Sequence, residues 1–164
     1  MKPTNFIAIF KTFVQHEVDF IVVGGLSAVL NGAPILTFDA DIVHSRQPKN
    51  FDPMLAALKE MDATYRYPSG SKAFPKISHL ASKGHQLLRT IHGDLDLLGT
   101  VDAGLSYEDL EPHSTWMEIE LGVNVRNLNL DKYVEMKEKL NRDKDRAVLP
   151  TLRAALAEQK KRQQ

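Results

Sequence analysis

The feature that most constrains the fold is an apolar run that ends in two glycines. Phe20–Val23 is rich in β-branched side chains and is typical of a buried strand. Gly24 and Gly25 close the run, and residues 26–30 begin a helix. Glycine lets a backbone approach a ligand, a helix N-terminus offers N–H groups to phosphate, and Ser27 adds a hydroxyl. A phosphate-binding turn and a plain tight turn both fit, because the third glycine or Gly-Lys-Ser/Thr of the common nucleotide motifs is absent.

Hydrophobic periodicity predicts the elements around this turn. Apolar residues at spacings of three and four predict helices, whereas short apolar or alternating runs predict strands. We expect an α/β (α+β) fold, with a mixed β-sheet, flanking helices and a C-terminal helical pair. One domain, 1–164, is expected, with a core of about 18–128 and C-terminal helices of about 129–160. The predicted helices are 4–17, 26–30, 50–61, 130–140 and 144–160 (the last begins or kinks at Pro150), the predicted strands are 20–23, 36–43, 85–91, 94–99, 116–121 and 123–128, and 65–83 is predicted to be a loop.

Composition excludes several kinds of site. The 164 residues contain no cysteine, so disulfides, thiolate catalysis and cysteine-ligated zinc are excluded. The six histidines show no zinc-ligand spacing. The 21 basic and 21 acidic residues cancel, so the overall field does not attract nucleic acid. No run approaches the roughly 20 apolar residues that a membrane helix needs, and we expect a cytoplasmic protein without a membrane partner.

The chain has three Asp-x-Asp pairs, and the first lies in an apolar strand. Asp39 and Asp41 are two positions apart, so on a strand both carboxylates project from the same face. Two like charges in such a place need compensation, and a hard divalent cation with oxygen ligands supplies it. The alternative is that both aspartates face solvent on an edge strand.

The second pair, Asp94 and Asp96, opens a predicted strand after a short connection. If His92 and Gly93 form a two-residue turn, Arg89 pairs with Asp96. Arg89 is then either a structural partner of Asp96 or a phosphate contact beside it. The third pair, at positions 143 and 145, falls between helices and indicates capping.

Three short strings resemble one enzyme superfamily. VGGLSA at 23–28, TFDADI at 37–42 and LDLL at 95–98 are similar to the DNA polymerase β-like nucleotidyltransferases, and within them to small bacterial proteins related to AbiEii-type toxins. The C-terminal part is also similar, because Lys137 is followed five residues later by Arg142 and the sequence Asp-Lys-Asp. Residue 35 departs from the pattern: it is Ile35 where relatives often have arginine.

The resemblance implies a site and a reaction. Two Mg²⁺ ions, or Mn²⁺ in their place, bind the carboxylates, and a nucleoside monophosphate moves from a nucleoside triphosphate to a hydroxyl acceptor. Asp96 assists deprotonation of that hydroxyl. The implied catalytic and metal-binding residues are Asp39, Asp41 and Asp96, the nucleotide-binding residues are Gly24, Gly25, Ser27, Lys137 and Arg142, and the supporting residues are Arg89 and Asp145.

The acceptor and the partner are left open by the sequence. A tRNA end, a protein hydroxyl and a small molecule all fit as acceptor, and a cognate partner protein is a further possibility. One alternative to catalysis is an inert protein of the same fold that binds nucleotide or acts as a toxin–antitoxin-type partner, and Ile35 favours it. Another is an interaction module whose aspartates are surface residues.

Overall fold

The computed structural model describes residues 3–67 and 72–164, and residues 68–71 of the predicted loop lie outside it. No helix in the described part is long and apolar enough to cross a membrane. The helices are α1 (Phe6–Gln15), α2 (Gly24–Leu30), α3 (Phe51–Glu60), α4 (Ile77–Leu80), α5 (Tyr107–Leu110), α6 (Leu130–Leu140) and α7 (Asp143–Arg162), with 3₁₀ turns at Pro48–Asn50 and Glu111–His113. The strands are β1 (Phe20–Val23), β2 (Ala40–His44), β3 (Thr64–Tyr65), β4 (His85–Thr90), β5 (Gly93–Leu98), β6 (Ser114–Glu120) and β7 (Val123–Leu128).

The strands form one mixed sheet in the order β3-β4-β5-β2-β1-β7-β6. β2 runs parallel to β5, and β1 runs parallel to β7, while β1 and β2 are antiparallel to each other. The remaining pairs, β3 with β4, β4 with β5 and β6 with β7, are antiparallel. The predicted fold class, a mixed sheet with flanking helices and a C-terminal helical pair, is therefore confirmed.

Helices cover both faces of the sheet, which explains why β1 is apolar at every position. Ile42 and Leu97 pack on one face, in a core that includes Phe10 and other residues of α1 and α3. Val43 packs on the other face, among residues of α5, α6 and α7. Adjacent residues of a strand point to opposite faces, so a strand covered on both faces is buried along its whole length. This burial fixes the C-terminal end of β1 and the N-terminal end of β2, where the candidate site lies.

The last helix begins earlier than Pro150. A capping box formed by Arg142 and Asp145 starts α7, which then continues through Pro150 to Arg162. The side chain of Asp145 accepts a hydrogen bond from the backbone N–H of Arg142, so a backbone donor at the helix start is satisfied. The indication of capping at this third Asp-x-Asp pair is confirmed for Asp145.

Candidate active site

Three neighbouring strands bring the end of β1, Asp41 and Asp96 into one row. Val23 is the register partner of Asp41 across β1 and β2, and Asp41 is the register partner of Asp96 across β2 and β5. Register partners on adjacent strands project to the same side of a sheet. Two carboxylates predicted to act together, Asp41 and Asp96, are therefore neighbours beside the glycine turn.

Gly24 allows the closest approach in the site. Its φ is +66°, a left-handed conformation that side chains disfavour, and a Cβ at this position would lie 2.2 Å from Oδ2 of Asp41. A Cβ on Gly25 would lie 3.3 Å from Oγ1 of Thr37. The turn between β1 and α2 is thus packed directly on the Asp41 carboxylate, and this requires glycine at position 24.

The Asp41 carboxylate is poorly compensated. Its Oδ1 is buried and has no hydrogen-bond partner among the described residues. Burial raises the pKa of Asp41 well above its ordinary value, repulsion from Asp96 and a hydrogen bond with the Asp96 side chain raise it further, and repulsion from Asp39 adds to this. The positive charge of Lys137 lowers the pKa, but it does not offset these effects. Such a carboxylate is ready to accept a cation or a proton.

Asp39 lies outside the strand, so the prediction that Asp39 and Asp41 share a strand face is wrong. β2 begins at Ala40. Leu36 and Phe38, which suggested a longer strand, are 87% and 75% exposed. Apolar residues without a covering layer do not add to a sheet, although they gave the alternation expected of a strand. Asp39 is nevertheless coupled electrostatically to the site, because burial and then the negative charge of Asp96 raise its pKa.

Arg66 is a site residue that the sequence did not reveal. Its Nη1 lies 2.9 Å from Oδ2 of Asp94, and its Nη2 donates to Oδ1 of Asp96. The backbone N–H of Arg66 donates to the carbonyl of Leu87, the register partner of Asp96. The predicted loop 65–83 therefore begins as a sheet edge and also contains the short helix α4. The available signal was the β-forming pair Thr64 and Tyr65 directly before this arginine.

Arg89 does not pair with Asp96, and that prediction is wrong. Thr90 pairs with Gly93 across the hairpin, so the turn is formed by residues 91–92. The shift by one residue makes Arg89 the partner of Asp94, and its Nε lies 3.2 Å from Oδ1 of that residue. The Arg89 side chain is 68% exposed. It therefore contacts the rim of the carboxylate cluster from the solvent side.

The C-terminal helices place the charge of Lys137 where it acts on Asp41, and they pair Arg142 with Asp145. Nζ of Lys137 lies 3.7 Å from Oδ1 of Asp145, and its side chain is 16% exposed. Arg142 donates to Asp145 through Nε at 2.7 Å and Nη2 at 3.1 Å. Asp145 therefore holds both cations. The phosphate contacts of Lys137 and Arg142 stay predictions.

Ser27 contributes to the turn from inside. It is fully buried, and its hydroxyl donates to the carbonyl of Gly24 at 2.7 Å. This hydrogen bond supports the backbone conformation that places Gly24 on Asp41. The predicted contact of the Ser27 hydroxyl with a phosphate is a separate expectation, and it stays a prediction.

These residues fit one divalent cation better than two. The carboxylates of Asp41 and Asp96 are adjacent, and Oδ1 of Asp41 has no partner among the described residues, so this pair could bind one divalent ion. Within residues 3–67 and 72–164, however, no three acidic or histidine side chains converge as a ligand group. Arg66 already takes one oxygen of Asp96. The pair Asp41 and Asp96 is thus the part of the predicted metal site that the geometry supports.

Comparison with known proteins supports the fold. No protein-family model and no curated protein sequence matches this chain. The chain is similar to the crystal structure of a Thermotoga maritima protein described as a candidate nucleotidyltransferase, with a TM-score of 0.54 and 18% sequence identity. The likeness covers 92% of this chain and 89% of that one. It shows a nucleotidyltransferase-like fold.

Proposed function

We propose that this protein is a Mg²⁺-dependent nucleotidyltransferase that moves a nucleoside monophosphate from a nucleoside triphosphate to a hydroxyl. The observation that carries the proposal is the packing of Gly24 on Asp41 beside Asp96, where a buried oxygen of Asp41 has no hydrogen-bond partner within residues 3–67 and 72–164. Perturbed carboxylates gathered beside a close backbone approach are typical of functional sites. The fold likeness supports the same reaction class.

The position of each residue in the site suggests its role in binding the nucleotide. Gly24 and Gly25 let the backbone of the turn pack against Asp41 and Thr37, so a phosphate bound at the carboxylates would lie beside the start of α2, and the positive charge of Lys137 acts on Asp41. Asp41 and Asp96 would hold a divalent ion, and Asp39, whose negative charge acts on Asp41, would supply a further ligand when a nucleotide binds. The nucleotide is therefore expected to lie over the ends of β1 and β2.

The transfer forms a bond between the acceptor oxygen and the α-phosphorus and breaks the bond to pyrophosphate. A divalent ion bound at the carboxylates supplies charge for the phosphate oxygens and favours the ionised acceptor. Asp96 faces Asp41 across the strand pair and takes the hydroxyl proton in this scheme. Identification of the acceptor substrate would decide whether it is RNA, protein or a small molecule. It would also test the proposed relation to AbiEii-type proteins.

A second candidate function is nucleotide binding without transfer, in a protein that acts through a toxin–antitoxin-type partner. Two observations favour it. Arg66 already binds Asp96, the carboxylate expected to take the proton. Ile35, which replaces the arginine common in the resembling proteins, packs within 4.0 Å of the Cβ position of Gly25 and brings no charge to the turn.

Calorimetric titration with ATP, GTP, CTP and UTP, with and without Mg²⁺, tests the proposal. We expect Mg²⁺-dependent binding of at least one nucleotide in wild type and its loss in the double variant Asp39→Ala/Asp41→Ala. Asp143→Ala is the matched control, because Asp143 is 97% exposed and belongs to another Asp-x-Asp pair. Absence of binding for all four nucleotides contradicts the proposal. Binding without pyrophosphate release across a panel of RNA, protein and small-molecule acceptors favours the second candidate.

A further inference from the structure

Arg66 is the cation in closest contact with the carboxylate cluster. Its guanidinium bridges Asp94 and Asp96, contacting one oxygen of each. The side chains of Arg66 and Asp96 are each 18% exposed, and that of Asp94 is 28% exposed, so solvent screens these pairs only partly. A guanidinium stays charged at any physiological pH and matches carboxylates with two fixed donors. Arg66 is therefore a permanent positive charge built into the cluster.

The other nearby cations cannot replace it. Lys137 divides its charge between Asp41 and Asp145. Arg89 reaches only Asp94, from a largely exposed position. Asp96 therefore depends on Arg66 for its counter-charge, and Asp41 has no direct ion pair among the described residues.

A two-ion site uses a carboxylate as a bridge between ions about 3.5–4 Å apart. Asp96 is the register neighbour of Asp41, so one of its oxygens can share an ion with Asp41. Its Oδ1 accepts the hydrogen bond from Nη2 of Arg66. A second ion on Asp96 would have to take that oxygen from the guanidinium and lie beside its positive charge.

We propose that Arg66 takes the place of the second divalent cation, so that the free protein holds one divalent ion, at Asp41 and Asp96. The proposal rests on the proposed function, since it concerns the same carboxylates. Arg66 is in this view a positioning residue: it fixes the orientation of Asp96 and sets the number of ions that the cluster accepts before nucleotide arrives.

Mn²⁺ binding to the nucleotide-free protein, followed by the paramagnetic resonance signal of the free ion, tests this directly. We expect about one ion per chain in wild type and about two in Arg66→Gln, because the like-charge repulsion is gone and Oδ1 of Asp96 is released. Arg66→Lys keeps the charge and is expected to stay near one ion. Arg89→Gln is the matched control, since it removes a cation from Asp94 without touching Asp96, and it too is expected to stay near one.

The outcomes separate this proposal from the proposed function. Two ions in wild type, or one ion in both wild type and Arg66→Gln with affinities within about threefold, overturns the role of Arg66 while the metal site survives. An equal gain in Arg89→Gln overturns it as well, because the effect is then one of general charge. Absence of Mn²⁺ binding in all variants, including Arg66→Gln, overturns the single-ion site and with it the role of Arg66, while the nucleotide titration alone decides the proposed function. Thermal melts establish that each variant is folded. Arg66→Ala, which also removes the guanidinium, replaces Arg66→Gln if that variant does not fold: about two ions are expected, and one ion with the affinity of wild type overturns the role of Arg66.

Discussion

The charge of Lys137 acts on two carboxylates, Asp41 and Asp145, whose surroundings are opposite. Asp145 is 2% exposed and accepts hydrogen bonds from the backbone and the guanidinium of Arg142, with Lys137 also in range. These partners hold its pKa at about 2. Asp41 has a buried oxygen with no partner in the described part of the chain, and its pKa is raised. The first carboxylate is satisfied by the fold, while the second needs something that the fold does not supply.

Of these two carboxylates, Asp41 is the candidate for function. A buried charge is costly, and a fold that leaves one uncompensated keeps a local cost that a ligand can relieve. Asp145 serves the start of α7 and the placement of Lys137. Asp41 is enclosed by the glycine turn and Asp96, which crowd it without donating to Oδ1. The contrast can be tested by substitutions that remove the paired charge of Asp145 or the unpaired charge of Asp41, and by substitutions in the glycine turn that packs on Asp41.

The largest effect is expected for Gly24→Ala. The left-handed φ of +66° and the predicted overlap with Oδ2 of Asp41 both oppose a Cβ at this position. We expect a loss of about 3 kcal/mol in the free energy of unfolding, together with loss of metal-dependent nucleotide binding. Urea denaturation and calorimetry measure the two effects.

Gly32→Ala is the control for backbone strain. Gly32 also has a positive φ, +92°, but a Cβ there would meet no atom of the described residues within 4 Å. We expect a cost of about 1–2 kcal/mol and unchanged nucleotide binding. If Gly24→Ala and Gly32→Ala lose equal amounts of the free energy of unfolding, then overlap with Asp41 adds nothing to the cost of a Cβ at position 24.

The sequence predicted the capping role of Asp145 and the grouping of Asp41 with Asp96. It did not predict correctly which arginines pair with the carboxylates around Asp41. Capping by Asp145 depends on a residue three positions away, and local spacing is visible in a sequence. The strand that ends before Gly24 was likewise visible in a short apolar string. The placement of Asp41 and Asp96 at one site came from the resemblance to a known superfamily, because it depends on the pairing of two distant strands.

The errors came from pairing between distant segments. A one-residue change in the turn at 91–92 moved Arg89 from Asp96 to Asp94, because register depends on where the hairpin closes. Arg66 reaches Asp96 through the β3–β4 edge, 30 residues away in the chain. Asp39 was placed in a strand because Leu36 and Phe38 are apolar, yet neither is buried. Periodicity reports apolar alternation and does not report whether a covering layer exists.

A smaller effect is expected when the satisfied carboxylate is neutralised. Asp145→Asn removes the charge that Arg142 and Lys137 share, so we expect a loss of about 2 kcal/mol in the free energy of unfolding at neutral pH. Because the pKa of Asp145 is lowered in the folded protein, its contribution is present above the unfolded-state pKa of about 4. It is lost as the pH falls towards about 2. Urea denaturation of both proteins from neutral to acidic pH should therefore show a gap that narrows, and a gap independent of pH would contradict the ion-pair explanation.

The smallest effect should have the opposite sign. Asp41→Asn keeps the shape of the side chain and removes a charge that is buried beside Asp96, so we expect the metal-free protein to gain about 1 kcal/mol in the free energy of unfolding. Urea denaturation in the presence of a chelator measures this gain, and added Mn²⁺ should reverse the ranking by stabilising only wild type. Asp131→Asn, an exposed aspartate in the first turn of α6, controls for the loss of one negative charge and should not gain. If Asp41→Asn instead loses stability, as Asp145→Asn is expected to, then Asp41 is satisfied in solution and the contrast between the two carboxylates does not hold.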